Sequence, residues 1–217
     1  HLSPNFRAPY FSRNFTEFWK RWHITLSEWL RDYIYYPISR VISRSHSTYR
    51  SLANLVVPPL NTMLVSGMWH GFSLNMIFWG GLHGSYLIVE RIPALWRPIV
   101  PPQHQPLWRQ WLGMGVVFFL ATLAWVPFRW ELPAALQLWE ALLNWSDAAI
   151  RYRRMLLVAP LLLGSLVIDF IQHWSEDEFI FLNWSPLTKA ACMATVLFLI
   201  FILAAGDFEQ PFVYQAF

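Results

Sequence analysis

Charge is the scarcest property of this 217-residue sequence. Asp, Glu, Lys and Arg together make up 13% of it, about half the share of an ordinary globular chain. With 56% hydrophobic and 18% aromatic residues, so little charge excludes a disordered chain and a charge-driven nucleic-acid binder. There is one cysteine, Cys192, which excludes an internal disulfide framework and a cysteine-based zinc site. Standing in an apolar run, it is expected to pack. No Gly-rich phosphate loop, GxSxG elbow or HExxH occurs, so the common nucleotide, serine-hydrolase and zinc-protease motifs are absent. There is no internal repeat, and the first residues lack the short apolar run of a secretory signal.

The charge that exists is unevenly placed. Residues 1–50 hold eight Lys/Arg against three acids, and the rest holds eight basic and ten acidic residues. A basic, aromatic-rich stretch ahead of apolar spans suits a bilayer surface with anionic headgroups; ordinary helix flanks are the plainer alternative. Residues 1–50 are therefore expected to form a basic amphipathic interfacial segment, and residues 51–217 a transmembrane bundle. Thr25-Leu26-Ser27-Glu28 fits a capping box with a helix starting at Leu26. Leu26, Trp29, Leu30, Tyr33 and Ile34 then share one face, and Pro37 is expected to end the helix.

Uncharged runs mark the spans. Gln110–Phe128 is 19 residues, Ala190–Gly206 is 17, and Met155–Ile168 is 14, extending past Asp169. A hydrocarbon core needs about 20 helical residues, with about 17 tolerated. Trp108, Trp111, Trp125 and Trp130 bracket the first run, as interfacial tryptophans do. Ala134–Leu143 reads as a short surface helix. Arg151, Arg153 and Arg154 suggest a cytoplasmic flank, and Glu176, Asp177 and Glu178 the opposite side. The longest uncharged run, Ser51–Val89, is 39 residues, about two spans' worth. Pro58-Pro59 is expected to break any helix there. Gly67 and Gly71, and Gly80 and Gly84, stand four apart, the spacing that lets helices approach closely in a bilayer. The fold expected is all-α: a polytopic membrane helix bundle with amphipathic interfacial helices.

Two histidines, His70 and His83, fall inside the long uncharged run, where ionisable groups are costly and mark functional sites or proton paths. The plain alternative is a neutral ring bonded within the bundle. That reading stays ahead for His83. The functional one leads for His70, set between Trp69 and Gly71. A bis-His haem or metal pair is a further reading, but 13 residues of separation do not share one helical face. Asp169 is a candidate buried acid with no assigned role.

Asn5-Phe6-Arg7-Ala8-Pro9-Tyr10, Phe18-Trp19-Lys20-Arg21-Trp22-His23-Ile24-Thr25-Leu26-Ser27, Trp29-Leu30-Arg31-Asp32-Tyr33-Ile34-Tyr35, Met68-Trp69-His70-Gly71 and Trp79-Gly80-Gly81-Leu82-His83-Gly84 together resemble membrane-bound O-acyltransferases. The branch most similar is the bacterial alginate O-acetyltransferase one, whose C-terminus Pro211–Phe217 also resembles. The likeness runs from Asn5 to the end and is densest over residues 5–90. Family members are longer, and this chain starts where their C-terminal half starts, so the resemblance implies a fragment. It implies His70 as the catalytic residue, with His23 as its companion.

The chemistry implied is transfer of an acyl group, acetyl first, from acyl-CoA to a hydroxyl. Acetyl-CoA enters as donor substrate, with no bound cofactor and no metal. The hydroxyl needs a base, which a neutral buried imidazole supplies. His23 would polarise the thioester carbonyl or orient the acceptor. Arg21 and Arg31 are candidates to hold the coenzyme A phosphates, with lipid headgroup contact as the alternative; for Arg31 with Asp32, a structural pair is favoured. The implied partners are the lipid bilayer, an extracytoplasmic (periplasmic) acyl-accepting protein and an exported polysaccharide, with no nucleic acid. The implied location is multi-pass in the bacterial cytoplasmic membrane. A Gly-Gly-Asn-like turn usual in the alginate branch is replaced by Tyr36-Pro37-Ile38-Ser39-Arg40, which bears on the identity of the polysaccharide. D-alanyl transfer from a carrier protein to teichoic acid is the alternative within the family, and a transporter or structural bundle the alternative outside it.

Overall fold

The computed structural model describes residues 3–96, 101, 104–143, 164, 166–175 and 180–204. The chain divides into two units, His1–Ser146 and Asp147–Phe217. Among the described residues there is no β-strand, only an isolated antiparallel bridge between Phe6 and Trp22. In the first unit the helices are α1 (Phe15–Arg21), α2 (Ile24–Leu30), α3 (Tyr36–Arg44), α4 (Arg50–His70), α5 (Leu74–Arg91), α6 (Leu107–Arg129) and α7 (Leu132–Leu143). In the second, residues 166–175 form α8 and Pro186–Ala204 forms α9.

The all-α class holds. One helix among the described residues is long and apolar enough to cross a membrane: α6, with mean hydropathy 1.8. It contains the 19-residue uncharged run, and Trp108, Trp111 and Trp130 stand exposed near its ends. Trp125 instead turns inward, 5.1 Å from Trp22. The surface helix expected over 134–143 is α7. In the second unit α9 holds most of Ala190–Gly206, and Cys192 on it is free and exposed rather than packed. Most of the run Met155–Ile168 lies outside the described residues. So do Arg151, Arg153, Arg154, Glu176, Asp177, Glu178 and Pro211–Phe217.

Three local expectations are corrected. Pro58 and Pro59 lie inside α4 and do not break it. Two prolines remove two backbone N–H groups, but both rings are fully buried. Side-chain donors also bind the local carbonyls: Asn61 Nδ2 to Val57 O at 2.9 Å and Thr62 Oγ1 to Pro58 O at 2.7 Å. Burial and these side-chain donors let the helix carry both prolines. Pro37 likewise does not end a helix. It is the second residue of α3, and the backbone before it is already helical from α2 onward. A π-helical turn over Arg31–Tyr35 joins α2 to α3 without a break. That turn holds more residues than an α-helical turn, so the stripe expected for a continuous α-helix does not carry across it. Leu30 is buried, but Trp29 and Tyr33 are exposed.

The run Ser51–Val89 becomes a helical hairpin: α4 and α5 run antiparallel, joined by Gly71-Phe72-Ser73. Glycine sets their separation. A Cβ on Gly67 would collide with the Met76 carbonyl, and one on Gly80 with the Met63 carbonyl. A Cβ on Gly84 would sit 3.0 Å from Leu60. Gly71 makes no such close approach, so it belongs to the turn and not to the interface. The core joins α1, α4, α5 and α6 through Phe15, Phe18, Met63, Trp79, Leu87, Val117, Ala121 and Ala124.

Glu90, at the end of α5, locks α1 in place. Its carboxylate accepts from Phe15 N (2.6 Å), Thr16 N (3.3 Å) and Thr16 Oγ1 (2.5 Å), while Asn14 caps the same helix by accepting from Glu17 N. Losing such a cap costs about 1–2 kcal/mol. Glu90→Ala is therefore expected to lower the thermal midpoint of the detergent-solubilised protein. Glu90→Gln, which keeps an acceptor oxygen, is expected to lower it less.

Candidate active site

His70 is the last residue of α4, at the tip of the hairpin. The helix stops there because the chain turns at Gly71, whose N–H still bonds back to Gly67 O and Met68 O at 3.2 Å. The imidazole is partly exposed and walled by aromatic rings: Trp69 at 4.9 Å, Phe128 at 5.0 Å and Trp79 at 5.5 Å. Asn75 Nδ2 donates to Pro127 O at 3.0 Å, tying the start of α5 to the end of α6 and so holding Phe128 beside the ring. Trp69 and Phe72 are exposed, so the tip presents apolar surface around His70. Among the described residues no carboxylate accepts a hydrogen bond from His70. The ring is held by packing, not by an acidic partner.

His23 comes to the same place by a different route. It is the N-cap of α2 in the left-handed conformation, φ 46° and ψ 53°, a rare and costly one for a side-chain-bearing residue. The helix therefore starts at Ile24, two residues earlier than a Thr25 cap would give. The hydroxyl that was to cap it, Thr25 Oγ1, instead donates to Asn5 Oδ1. The His23 ring lies edge-on to Trp69 at 5.8 Å, so one indole touches both His23 and His70. Its Nδ1 is buried with no protein hydrogen bond. Burial holds the imidazole below its ordinary value of 6.5, so the ring is neutral at pH 7 and resists charging. The sign follows from linkage: this contribution to stability is complete above about pH 6.5 and is lost as the pH falls below it.

His83 is apart from this pair in kind. It is 1% exposed, caged by Trp79 (4.8 Å), Trp19 (5.1 Å), Tyr86 (5.6 Å) and Phe15 (6.0 Å). Among the described residues neither ring nitrogen has a hydrogen-bond partner, so the plain reading is met there in burial but not in bonding. The Trp79 indole touches both the His70 and the His83 rings.

The two arginines are not free alike. Arg21 Nη2 donates to Glu17 Oε1 at 2.7 Å, and Arg13 Nη2 to the same oxygen at 2.8 Å. Burial would raise the Glu17 carboxyl, but these cations hold it below the usual carboxylate range. Arg31 lies more open, with 42% of its side chain exposed, in a two-bond pair with Asp32 at 2.8 and 3.3 Å. Asp169 is buried on α8, in the second unit. Sequence reasoning missed Glu17, Glu90, Phe128 and Asn5. Asn5 alone carried a visible signal, as the first residue of a recognised motif.

Comparison with known proteins gives a consistent answer. The family model for the membrane-bound O-acyltransferase family matches residues 2–128. The probable alginate O-acetylase AlgI of Pseudomonas aeruginosa is 36% identical over 168 residues, 77% of this chain and 30% of that protein. The peptidoglycan O-acetyltransferase of Helicobacter pylori is 36% identical over 130 residues, 59% of this chain and 22% of that protein. The teichoic acid D-alanyltransferase of Streptococcus thermophilus is 29% identical over 137 residues, 57% of this chain and 32% of that protein. The matches thus span between about a fifth and a third of these relatives' length, and the family-model match over residues 2–128 contains both His23 and His70.

Proposed function

The chain belongs to the membrane-bound O-acyltransferase family, and on that premise we propose that it carries the acyl-transfer centre of a membrane O-acyltransferase. In this reading an acetyl group moves from acetyl-CoA to a hydroxyl of an exported polysaccharide, directly or through an extracytoplasmic acyl-accepting protein. The observation that carries it is the convergence of two partly exposed histidines on one indole, Trp69.

His70 is the base. It takes the acceptor hydroxyl's proton as that oxygen attacks the thioester carbonyl carbon. The carbon–sulfur bond then breaks, and the coenzyme A thiolate leaves and recovers the proton from the imidazolium. Such proton transfer is worth roughly 10²–10⁴-fold. His23, kept neutral, donates a ring N–H to the carbonyl oxygen as negative charge develops there, in the manner of an oxyanion donor. The apolar wall around His70 keeps water scarce, which limits hydrolysis of the donor. Arg31, the more exposed arginine, is assigned to the coenzyme A phosphates. Arg21 is held by Glu17 and contributes to the fold around His23.

The protein is further proposed to be multi-pass in the bacterial cytoplasmic membrane, with residues 1–50 at the lipid surface. No cofactor or metal has a part in the scheme. D-alanyl transfer from a carrier protein is the second reading, favoured by the likeness to a teichoic acid D-alanyltransferase. Membranes carrying the full-length protein separate the two. Label passing from acetyl-CoA to polymer or partner protein supports the first. Label passing only from a D-alanyl carrier replaces it with the second, and label from neither overturns both.

A further inference from the structure

We propose that Asn5 is a positioning residue for His23: it clamps the start of α2 so that a strained backbone delivers the imidazole to Trp69 and His70. The proposal rests on the acyl-transfer reading above. The segment Asn5–Arg7 lies antiparallel to Arg21–Thr25, fixed by Arg7 N to Arg21 O at 2.9 Å and by the Phe6–Trp22 bridge and ring contact. Asn5 closes the far end of that pairing with three bonds. Its backbone carbonyl accepts from Ile24 N at 2.9 Å. Its side-chain oxygen accepts from Thr25 N at 3.1 Å and from Thr25 Oγ1 at 2.6 Å.

These bonds do in trans what an N-cap side chain does in cis. A helix start leaves its first N–H groups without intrahelical acceptors, and His23 makes no side-chain cap bond. Asn5 meets the first two, Ile24 N and Thr25 N, and so frees the His23 ring from capping. The left-handed backbone at His23 persists only where its surroundings over-determine it, and the Asn5 bonds start at the very next residue. Without the side-chain oxygen, Thr25 N and Oγ1 lose their acceptor. His23 can then relax toward ordinary geometry, which turns its ring away from Trp69.

The test compares wild type, Asn5→Ala and Asn5→Asp in the full-length protein in membranes. Two readouts are taken: acyl-transfer kinetics and amide hydrogen exchange over residues 21–30. Misplacing a catalytic group by an ångström can cost about 100-fold. Asn5→Ala is therefore expected to lower kcat by about 10–100-fold, with KM for the donor held within about twofold. Exchange at Ile24 and Thr25 is expected to rise at unchanged abundance. Asn5→Asp keeps the acceptor and places a negative charge at a helix N-terminus, where it is favoured. It is expected to restore both exchange protection and most of the rate.

Wild-type kcat in Asn5→Ala, or equal loss in Asn5→Ala and Asn5→Asp at normal abundance, overturns the proposal. So does unchanged exchange protection at Ile24 and Thr25 in Asn5→Ala. Absence of transfer from wild type itself overturns the acyl-transfer reading instead, and the exchange readout then decides the clamp alone.

Discussion

His70→Ala is expected to lower acyl transfer by roughly 10²–10⁴-fold, the contribution of a positioned general base, while membrane abundance stays near wild type. The second half of that expectation comes from position. His70 ends α4, is partly exposed and makes no hydrogen bond that the fold needs. Its removal leaves Trp79 and Phe128 still packed on each other, 5.3 Å apart, and on the core. A loss in kcat without loss of protein separates a chemical role from a structural one. Labelled transfer, normalised to protein detected in the membrane, measures both. A His70→Ala protein that transfers at the wild-type rate would remove the base from the scheme.

Gly80→Leu is expected to prevent the hairpin from closing. Its Cβ alone would run into the Met63 carbonyl, which is backbone and cannot rotate aside. Overpacking a tight site costs about 1–3 kcal/mol even where side chains can yield; here the helices themselves must separate. Because the hairpin carries His70 at one end and Glu90 at the other, α1 and the site fail together. One residue on, Gly81 faces open space with nothing within 4 Å. Gly81→Ala is expected to be neutral or to stabilise by up to about 1 kcal/mol, the helix-propensity gain. Abundance and protease resistance of the two variants, side by side, check this. Equal behaviour would show that the α4–α5 approach is not as close as described.

Much of this was legible in the sequence, and the parts that were not have identifiable causes. Periodicity and absent charge located α6 and α7, since a helix near 20 residues with tryptophans at its ends is a local signal. The same uncharged stretch foretold two elements between Ser51 and Val89, and glycine spacing foretold that they touch. Pro58-Pro59 and Pro37 misled because a proline rule describes an isolated helix. Burial of both rings and donors such as Thr62 rescue the first case, and a π-turn rescues the second. The capping box at Thr25 misled because a residue 20 positions earlier, Asn5, takes both the hydroxyl and the amide. No window along the chain contains that contact.

At the site, sequence named the two histidines but not what brings them together. His23 and His70 are 47 residues apart, and their meeting depends on Trp69 facing both. His70, between Trp69 and Gly71, already read as the functional one of the two, and His83, between Leu82 and Gly84, as the plain one. Packing also separates a ring sealed among Phe15, Trp19, Trp79 and Tyr86 from one at an open hairpin tip. Of the two candidate arginines, the pairing of Arg31 with Asp32 was legible from adjacency, whereas the seat of Arg21 on Glu17 appears only in the fold.

The central claim is that the transferred acyl group passes His23 and His70 where both meet Trp69. Bromoacetyl-CoA tests it directly, because it carries an alkylating carbon where the acetyl methyl of the donor would lie. Full-length protein in membranes would be treated with it, with and without excess acetyl-CoA, and the adducts located by peptide mass spectrometry. The account expects alkylation at a ring nitrogen of His70 or His23, suppressed by acetyl-CoA. Adducts confined to the exposed Cys192, or histidine adducts that acetyl-CoA does not suppress, would contradict it.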